Sequence, residues 1–493
     1  MRDFMEEAKK LIRTSSVSQD GNEEVANYLH DRMREAGLKT QLQHVTHSLD
    51  HVSKRQFNVI GILGDPLVDK KTKKGLLLNT HIDTVGPGLA TNWTETNGDP
   101  YHAVIKDGKI YGLGSADVKL DFLCKLRAVE KFREKKLKMP IYLVGTCGEE
   151  IGMFGAKYLI KSGALNPKFV MVGEPSDLNV VYAHKSLNIF KVSIGFQMLA
   201  KDARGFNRRI HIQSFGKSAH GSYPHLGTNA IYQLIDLLRD SMDQGYEMKF
   251  TKFSGGETVN KVPDRAEVEF FLTSHQFEDY KRFFKDFVAQ TQMERAFEMD
   301  FGGLGDTGVR FIPDHVFECA TQVTDHFRKL SHQFSKVTDP TYNPAFSTVN
   351  FGMMKQGLGG LDLFFDLRIL PDQDASVIER EVLKDVQTIG AGYPSLNVSS
   401  VRQRTNPGLN MTLEHDLVRI CKDAMLASGL PVKIDKKATS TEAAQYFQAG
   451  YEAVVFGPGL SHGNSHSPNE NNILEHLDKA TAFYEKLIER ICL

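Results

Sequence analysis

The sequence predicts an α/β fold interrupted by an inserted α+β unit, and three observations predict it. Short apolar runs alternate with helical stretches up to about residue 186. From 187 to 405 the texture changes to strands of alternating polarity with fewer helical stretches. From 406 onward the first texture returns. A chain of 493 residues is also too long for one compact core, so more than one domain is expected.

The elements follow in order. Residues 3–13 and 22–36 read as amphipathic helices, the second closed by Gly37. The runs 57–63, 75–78, 141–145 and 169–172 read as strands, with helical stretches at 120–136 and 153–162. Strands separated by helices imply a sheet with covered faces, and sites in such sheets form at strand carboxyl ends. In the central part, 189–194 and 209–215 read as strands, 229–241 as a helix and 267–272 as a further strand. The order then partly recurs. A helix at 314–334, the triplet Thr348-Val349-Asn350 and a strand at 361–367 echo the earlier helix, the triplet Thr258-Val259-Asn260 and the strand at 266–272. Two readings fit: duplication of the module, or one module with a long insertion near 275–345. After Pro407, helix 413–428, strand 453–456 and helix 473–490 complete the first domain. The expected division is 1–186 and 406–493 for the outer domain and 187–405 for the inserted one.

Composition narrows the function. With 60 basic and 61 acidic residues the net charge is -1, so no electrostatic footprint for nucleic acid or a membrane surface is expected. The basic run Lys70, Lys71, Lys73 and Lys74 reads as a solvated turn. The five cysteines (Cys124, Cys147, Cys319, Cys421 and Cys492) are odd in number and form no C-x-x-C pair. That argues against a disulfide framework and against a thiolate zinc knuckle. The charged start, Met1 to Arg13, has no apolar segment of a secretory signal, and no run is long enough to span a bilayer. A cytoplasmic location is the expectation.

Polar motifs follow the strand runs. His81-Ile82-Asp83 comes after 75–78. Histidine suits zinc, and a nearby carboxylate can hold its second ring nitrogen. The plain alternative is a surface His beside a chance Asp. Gly114-Ser115-Ala116-Asp117 lets a tight turn bring a carboxylate to a shared point, or places Asp117 as a helix cap. In Cys147-Gly148-Glu149-Glu150, adjacent carboxylates repel, and cations relieve the cost. One Glu would then bind metal while the other takes a proton from water; exposed Glu pairs are the alternative. Glu174, in Gly173-Glu174-Pro175-Ser176, again follows a strand, and His466 lies in a late polar loop. Together these motifs supply two nitrogens and three carboxylates without thiolate, a set suited to paired Zn²⁺, with Mn²⁺ or Co²⁺ as substitutes.

These residues resemble the co-catalytic zinc family of acetylornithine deacetylase, succinyl-diaminopimelate desuccinylase, aminoacylase and carboxypeptidase G. The resemblance covers most of the chain. It rests on 80–85, 111–119, 148–152, 173–176 and 466–470 in that order. It implies a zinc-peptidase-like catalytic domain with a mixed sheet, interrupted by an α+β lid. Asp117 would bridge two metals, His81 and Glu174 completing one site, Glu150 and His466 the other. Asp83 would orient His81, and Glu149 would be the general base. In the lid, His220 within 216–224 resembles the residue that stabilises a tetrahedral intermediate. Asn260 within 260–264 resembles the family's Asn-x-Val-Pro loop, and Arg368 the Arg that grips a substrate carboxylate. A small-molecule substrate follows, an N-acyl amino acid or short peptide.

Three departures from the family pattern stand out. Asn260 and Arg368 are far apart in sequence, as a doubled lid would explain. Glu442 stands where relatives often have Asp. Glu at 174 resembles deacylases and carboxypeptidases rather than aminopeptidases. The resemblance thus implies cleavage of an amide beside a free carboxylate. A dipeptidase with a doubled lid is the alternative, and a catalytically silent metal-binding protein is the alternative of another class. A single lid would favour a homodimer, a doubled one a monomer.

Overall fold

The computed structural model describes residues 3–46, 55–65, 72–200, 205–291, 296–304 and 309–493. Lys70 and Lys71 of the basic run lie outside them. Met1–His184 with Asn406–Leu493 form one compact unit, and Lys185–Thr405 form another.

The first unit is built on a nine-stranded mixed sheet. Its strands run in the order Lys39–Val45, Gln56–Leu63, Ile141–Thr146, Leu76–His81, Phe169–Gly173, Glu452–Val455, Val180–His184 and Leu409–Asn410. Ile434–Lys437 also pairs with Val180–His184. The central strands are parallel and fully buried, which explains why they read as unbroken apolar runs rather than alternating ones. Leu76–His81 lies between two parallel neighbours, with His81 opposite Thr146 and Thr80 opposite Gly173. Three strand carboxyl ends therefore emerge side by side.

Helix Lys119–Glu130 is buried almost all round, and it carries Asp121 and Lys125 into the core as a 2.7 Å ion pair. The helix stops at Glu130, short of the expected 136, where the chain turns charged and loses its apolar stripe. At the start of the chain, Asp3 caps helix Phe4–Arg13 by accepting from the Met5 N–H. Gly37 ends the next helix with φ 90°, a conformation that favours glycine. A small three-stranded sheet of Val104–Lys106, Lys109–Tyr111 and Asn471–Ile473 ties the late loop to the Gly112–Asp117 turn. All five cysteines are free and buried. No helix among the described residues is long and apolar enough to cross a membrane.

The second unit holds an eight-stranded sheet whose two halves share one topology. In the first half, strand Phe206–Phe215, helix Ala230–Asp243, strands Lys249–Gly255 and Arg265–Thr273, helix Ser274–Gln290 and strand Phe297–Leu304 follow in order. In the second, strand Leu187–Gly195, helix Asp314–Phe334, strands Thr348–Gly357 and Gly360–Arg368, helix Ala375–Ala391 and strand Asn397–Asn406 do the same. Each half is strand, helix, strand, strand, helix, strand. The first half is inserted between the first strand and first helix of the second. The halves meet where Ser254 and Gly255 pair antiparallel with Lys355 and Met354. The triplets that echo one another occupy different places. Thr348-Val349-Asn350 opens a strand, whereas Thr258-Val259-Asn260 lies in a connection. The likeness of the halves rests on element order, not on that triplet.

Candidate metal centre

The centre is assembled from the three adjacent strand ends, the Gly112–Asp117 turn and the loop after Phe456. Donor atoms of His81, Asp117 and Glu174 lie within 4.8 Å of one another, and so do those of Asp117, Glu150 and His466. Asp117 belongs to both groups. His81 Nε2 is 3.1 Å from Asp117 Oδ1, while His466 Nε2 is 3.3 Å from Asp117 Oδ2 and 2.9 Å from Glu150 Oε1. A third group of His81, Glu149 and Glu150 meets the same distance limit, so Glu149 lies against both sets.

His81 Nδ1 hydrogen-bonds the Asp83 carbonyl oxygen at 3.1 Å, and the Asp83 carboxylate is 3.8 Å away. The second ring nitrogen is thus held by the backbone rather than by the carboxylate that the sequence suggests. A carbonyl only accepts, so in a neutral ring Nδ1 carries the proton and Nε2 the lone pair that a cation takes. The Asp83 carboxylate instead accepts from Ser18 Oγ at 2.5 Å and from the backbone N–H groups of Glu149 at 3.2 Å and Glu150 at 3.3 Å. It holds the turn that presents both glutamates.

The electrostatics are those of crowded acids. Burial and the nearby Glu174 and Glu150 raise the Glu149 carboxyl well above its ordinary value. Burial, with a smaller contribution from Asp117, raises Glu174 to about 8. Burial also pushes Asp117 up, but hydrogen bonds from His466 and His81 outweigh it and hold Asp117 well below the usual carboxylate range. Glu150, ahead of other causes, raises His466 to about 12. Repelling carboxylates beside imidazoles form a donor set that divalent cations satisfy, and the two groups sharing Asp117 fit a pair of them.

Several supporting residues received no role from the sequence. Buried Glu470 accepts from the N–H groups of Gly114 at 3.1 Å, Ala116 at 2.8 Å and Asp117 at 2.8 Å, fixing the turn that aims Asp117. Glu442 Oε2 accepts from Asn79 Nδ2 at 2.6 Å and Thr146 Oγ1 at 2.8 Å, bridging the strands that end in His81 and before Glu149. Ser18 reaches Asp83 from the N-terminal segment. An acid or serine in a polar loop reads as solvated until its partners are known.

The three remaining candidates gather in the second unit. His220 is bridged to Lys261, and the Gly221 N–H donates to Asn260 O at 2.7 Å. A Cβ at Gly221 would lie 2.8 Å from Asp366 Oδ2, so this loop also packs on the Asp366–Arg368 strand end. His220 Nδ1 is 2.6 Å from Ser222 Oγ. Arg368 is buried, and Asp366 receives its Nε at 2.8 Å and its Nη2 at 2.9 Å.

Comparison with known proteins agrees with this fold. The solved structures it resembles cover nearly the whole chain. Aminoacylhistidine dipeptidase from Vibrio alginolyticus aligns at TM-score 0.65 and 17% identity over 98% of this chain and 96% of that one. An M20 family metallo-carboxypeptidase from Sulfolobus solfataricus aligns at TM-score 0.59 and 17% identity over 99% of each. At these identities the likeness concerns the fold. The profile of peptidase family M20/M25/M40 matches residues 77–490, and the chain belongs to that family. Acetylornithine deacetylases are similar in sequence: that of Photorhabdus laumondii is 30% identical over 288 residues, and that of Proteus mirabilis 30% over 281. The matches take in 54% and 52% of this chain and span 66% and 64% of those relatives.

Proposed function

We propose that this protein is a two-zinc hydrolase that cleaves an amide bond beside a free carboxylate, acting as an N-acyl-amino-acid deacylase or a carboxypeptidase. The observation that carries this reading is Asp117 shared between two donor sets, each closed by one imidazole and one glutamate. His81 and Glu174 complete one site, Glu150 and His466 the other, and Co²⁺ or Mn²⁺ can replace Zn²⁺. Bound cations supply an acidified water and a polarised carbonyl. Glu149 takes the proton of the attacking water and delivers it to the leaving amine. Asp83 keeps Glu149 in place through the backbone of the 149–150 turn. His220 stabilises the oxyanion, and Asn260 and Arg368 bind substrate. The Nη1 edge of Arg368 makes no hydrogen bond among the described residues, which leaves it for a carboxylate. The acetylornithine deacetylases support the deacylase form.

A second reading, a metal-dependent dipeptidase, is favoured by the repeated topology of the second unit. It predicts a monomer in sedimentation and a requirement for a free α-amine. The deciding assay measures amine release from N-acetyl, N-succinyl and N-formyl amino acids and from dipeptides, before and after chelation and zinc add-back. Chelator-sensitive cleavage of an N-acyl amino acid is expected. Cleavage of dipeptides only would replace the first reading by the second, and no cleavage by zinc-loaded protein would overturn both. Glu149→Gln should lower kcat by about 10²- to 10⁴-fold with two metals still bound. Near-normal turnover of that variant would remove Glu149 as the base.

A further inference from the structure

Lys437 is a cation at the metal centre that the chemistry above does not use. It ends strand Ile434–Lys437, opposite His184 in a parallel pairing. Its Nζ donates one 2.8 Å hydrogen bond to the carbonyl of Pro175, the residue after Glu174. The side chain therefore ends at the turn that presents Glu174. It forms no ion pair within 4.0 Å among the described residues. A lysine placed only to neutralise a carboxylate would close that distance.

An ammonium has three donors, and here two find no acceptor. The side chain is half-buried, so those donors are partly withdrawn from water without protein partners in return. Other buried lysines of this unit differ: Lys125 donates to Asn79 O and Thr80 Oγ1 and pairs with Asp121, and Lys119 donates to the carbonyls of Leu11 and Thr14. Lys437 alone of these three keeps capacity for an incoming acceptor, and it does so beside the donor atoms proposed to hold the metals.

We propose that Lys437 is a specificity-determining residue that binds a carboxylate of the substrate from the catalytic unit itself. This rests on the amide-hydrolase reading of the same site. The ammonium's two unfilled donors meet the carboxylate oxygens while the third stays on Pro175 O. Substrates lacking the charge lose that contact, so a neutral carboxamide analogue binds more weakly than the acid.

The test uses zinc-loaded full-length protein carrying Glu149→Gln, so that binding is read without turnover. Calorimetry compares N-acetyl-L-alanine with its carboxamide, with Lys437 intact or replaced by Met or Arg, and metal content is measured in each sample. The acid should bind at least about tenfold more tightly than the amide. Lys437→Met should cut that preference several-fold by weakening the acid alone, the remainder resting on Arg368, Lys437→Arg should restore part of it, and two metals should remain throughout. Equal weakening of both ligands, loss of metal in Lys437→Met, or no acid preference with Lys437 intact would each overturn the proposal. Absence of amide cleavage by the Glu149-competent enzyme would instead sink the hydrolase reading, while this binding comparison would still decide the role of Lys437.

Discussion

At the scale of single residues, the centre is a set of acids whose proton affinities are set by burial. Glu442 illustrates the cost. Its side chain is fully buried, Oε2 is filled by Asn79 and Thr146, and Oε1 has no partner. Burial raises its carboxyl from an ordinary 4.5 to about 7. Between those two values the folded protein holds a proton that the unfolded chain has released. Stability is therefore lost as pH rises through that window, by about 3 kcal/mol at roughly 1.4 kcal/mol per unit. Urea unfolding of metal-free protein should show the advantage of Glu442→Gln over wild type growing from pH 4.5 to about 7. A difference that stays constant across that range would mean Glu442 is ionised in the fold. Glu470 behaves alike, also raised to about 7 by burial, but its three backbone donors compensate the charge when it forms.

At the scale of elements, positions are fixed by what lies beneath the strand ends. Helix Lys119–Glu130 packs under Leu76–His81, and its Lys125 donates to Asn79 O at 2.6 Å and to Thr80 Oγ1 at 2.9 Å, one residue before His81. Asp121 accepts from Thr80 Oγ1 at 2.8 Å and from Tyr484 OH at 2.5 Å, which ties in the last helix, Leu474–Cys492. Gly173 passes so close that any Cβ there would overlap the Asp121 carboxylate. Replacing one member of a buried ion pair leaves the other uncompensated, at a cost of about 3–5 kcal/mol. Lys125→Met should lose stability of that order in urea unfolding, whereas breaking an exposed pair such as Lys106 with Glu95 should change it little. A loss below about 1 kcal/mol for Lys125→Met would show that the pair does not hold the strand end. The helical stretch was legible in the sequence here. The pairing was not, because Asp121 and Lys125 at a four-residue spacing read equally well as an exposed helix pair.

At the scale of the molecule, the chain forms two units, and the proposed metal ligands all belong to Met1–His184 with Asn406–Leu493. A ligand that binds only the folded state stabilises the unit it occupies. Calorimetric unfolding should therefore give a transition that falls on chelation and recovers with zinc, and a second, assigned to Lys185–Thr405, that does not move. A single transition shifting as a whole would mean the units unfold together. The second unit also shows why fold was more legible in one half of the chain than in the other. Its helices Ser274–Gln290 and Ala375–Ala391 fully bury only two side chains each, the rest of their apolar stripes being half covered. The strand Asn397–Asn406 lies at the edge of the sheet and is half exposed along its length.

The sequence by itself determined the α/β class, the places of the buried strands along the chain and the set of side chains that gather at their ends. It could do so because a parallel strand buried on both faces must be continuously apolar, and the polar residues that follow it stand out. Only the tertiary structure decided that Asp117 faces both His81 and His466, that Asp83 serves the glutamate turn more than the imidazole, and that Glu470, Glu442 and Lys437 surround the centre. It also decided that the inserted unit is two halves of one topology joined in a single sheet. The physical reason is the same in each case. These outcomes depend on which distant backbone N–H, carbonyl or carboxylate lies within hydrogen-bond reach, and strand register sets that distance while local sequence pattern does not.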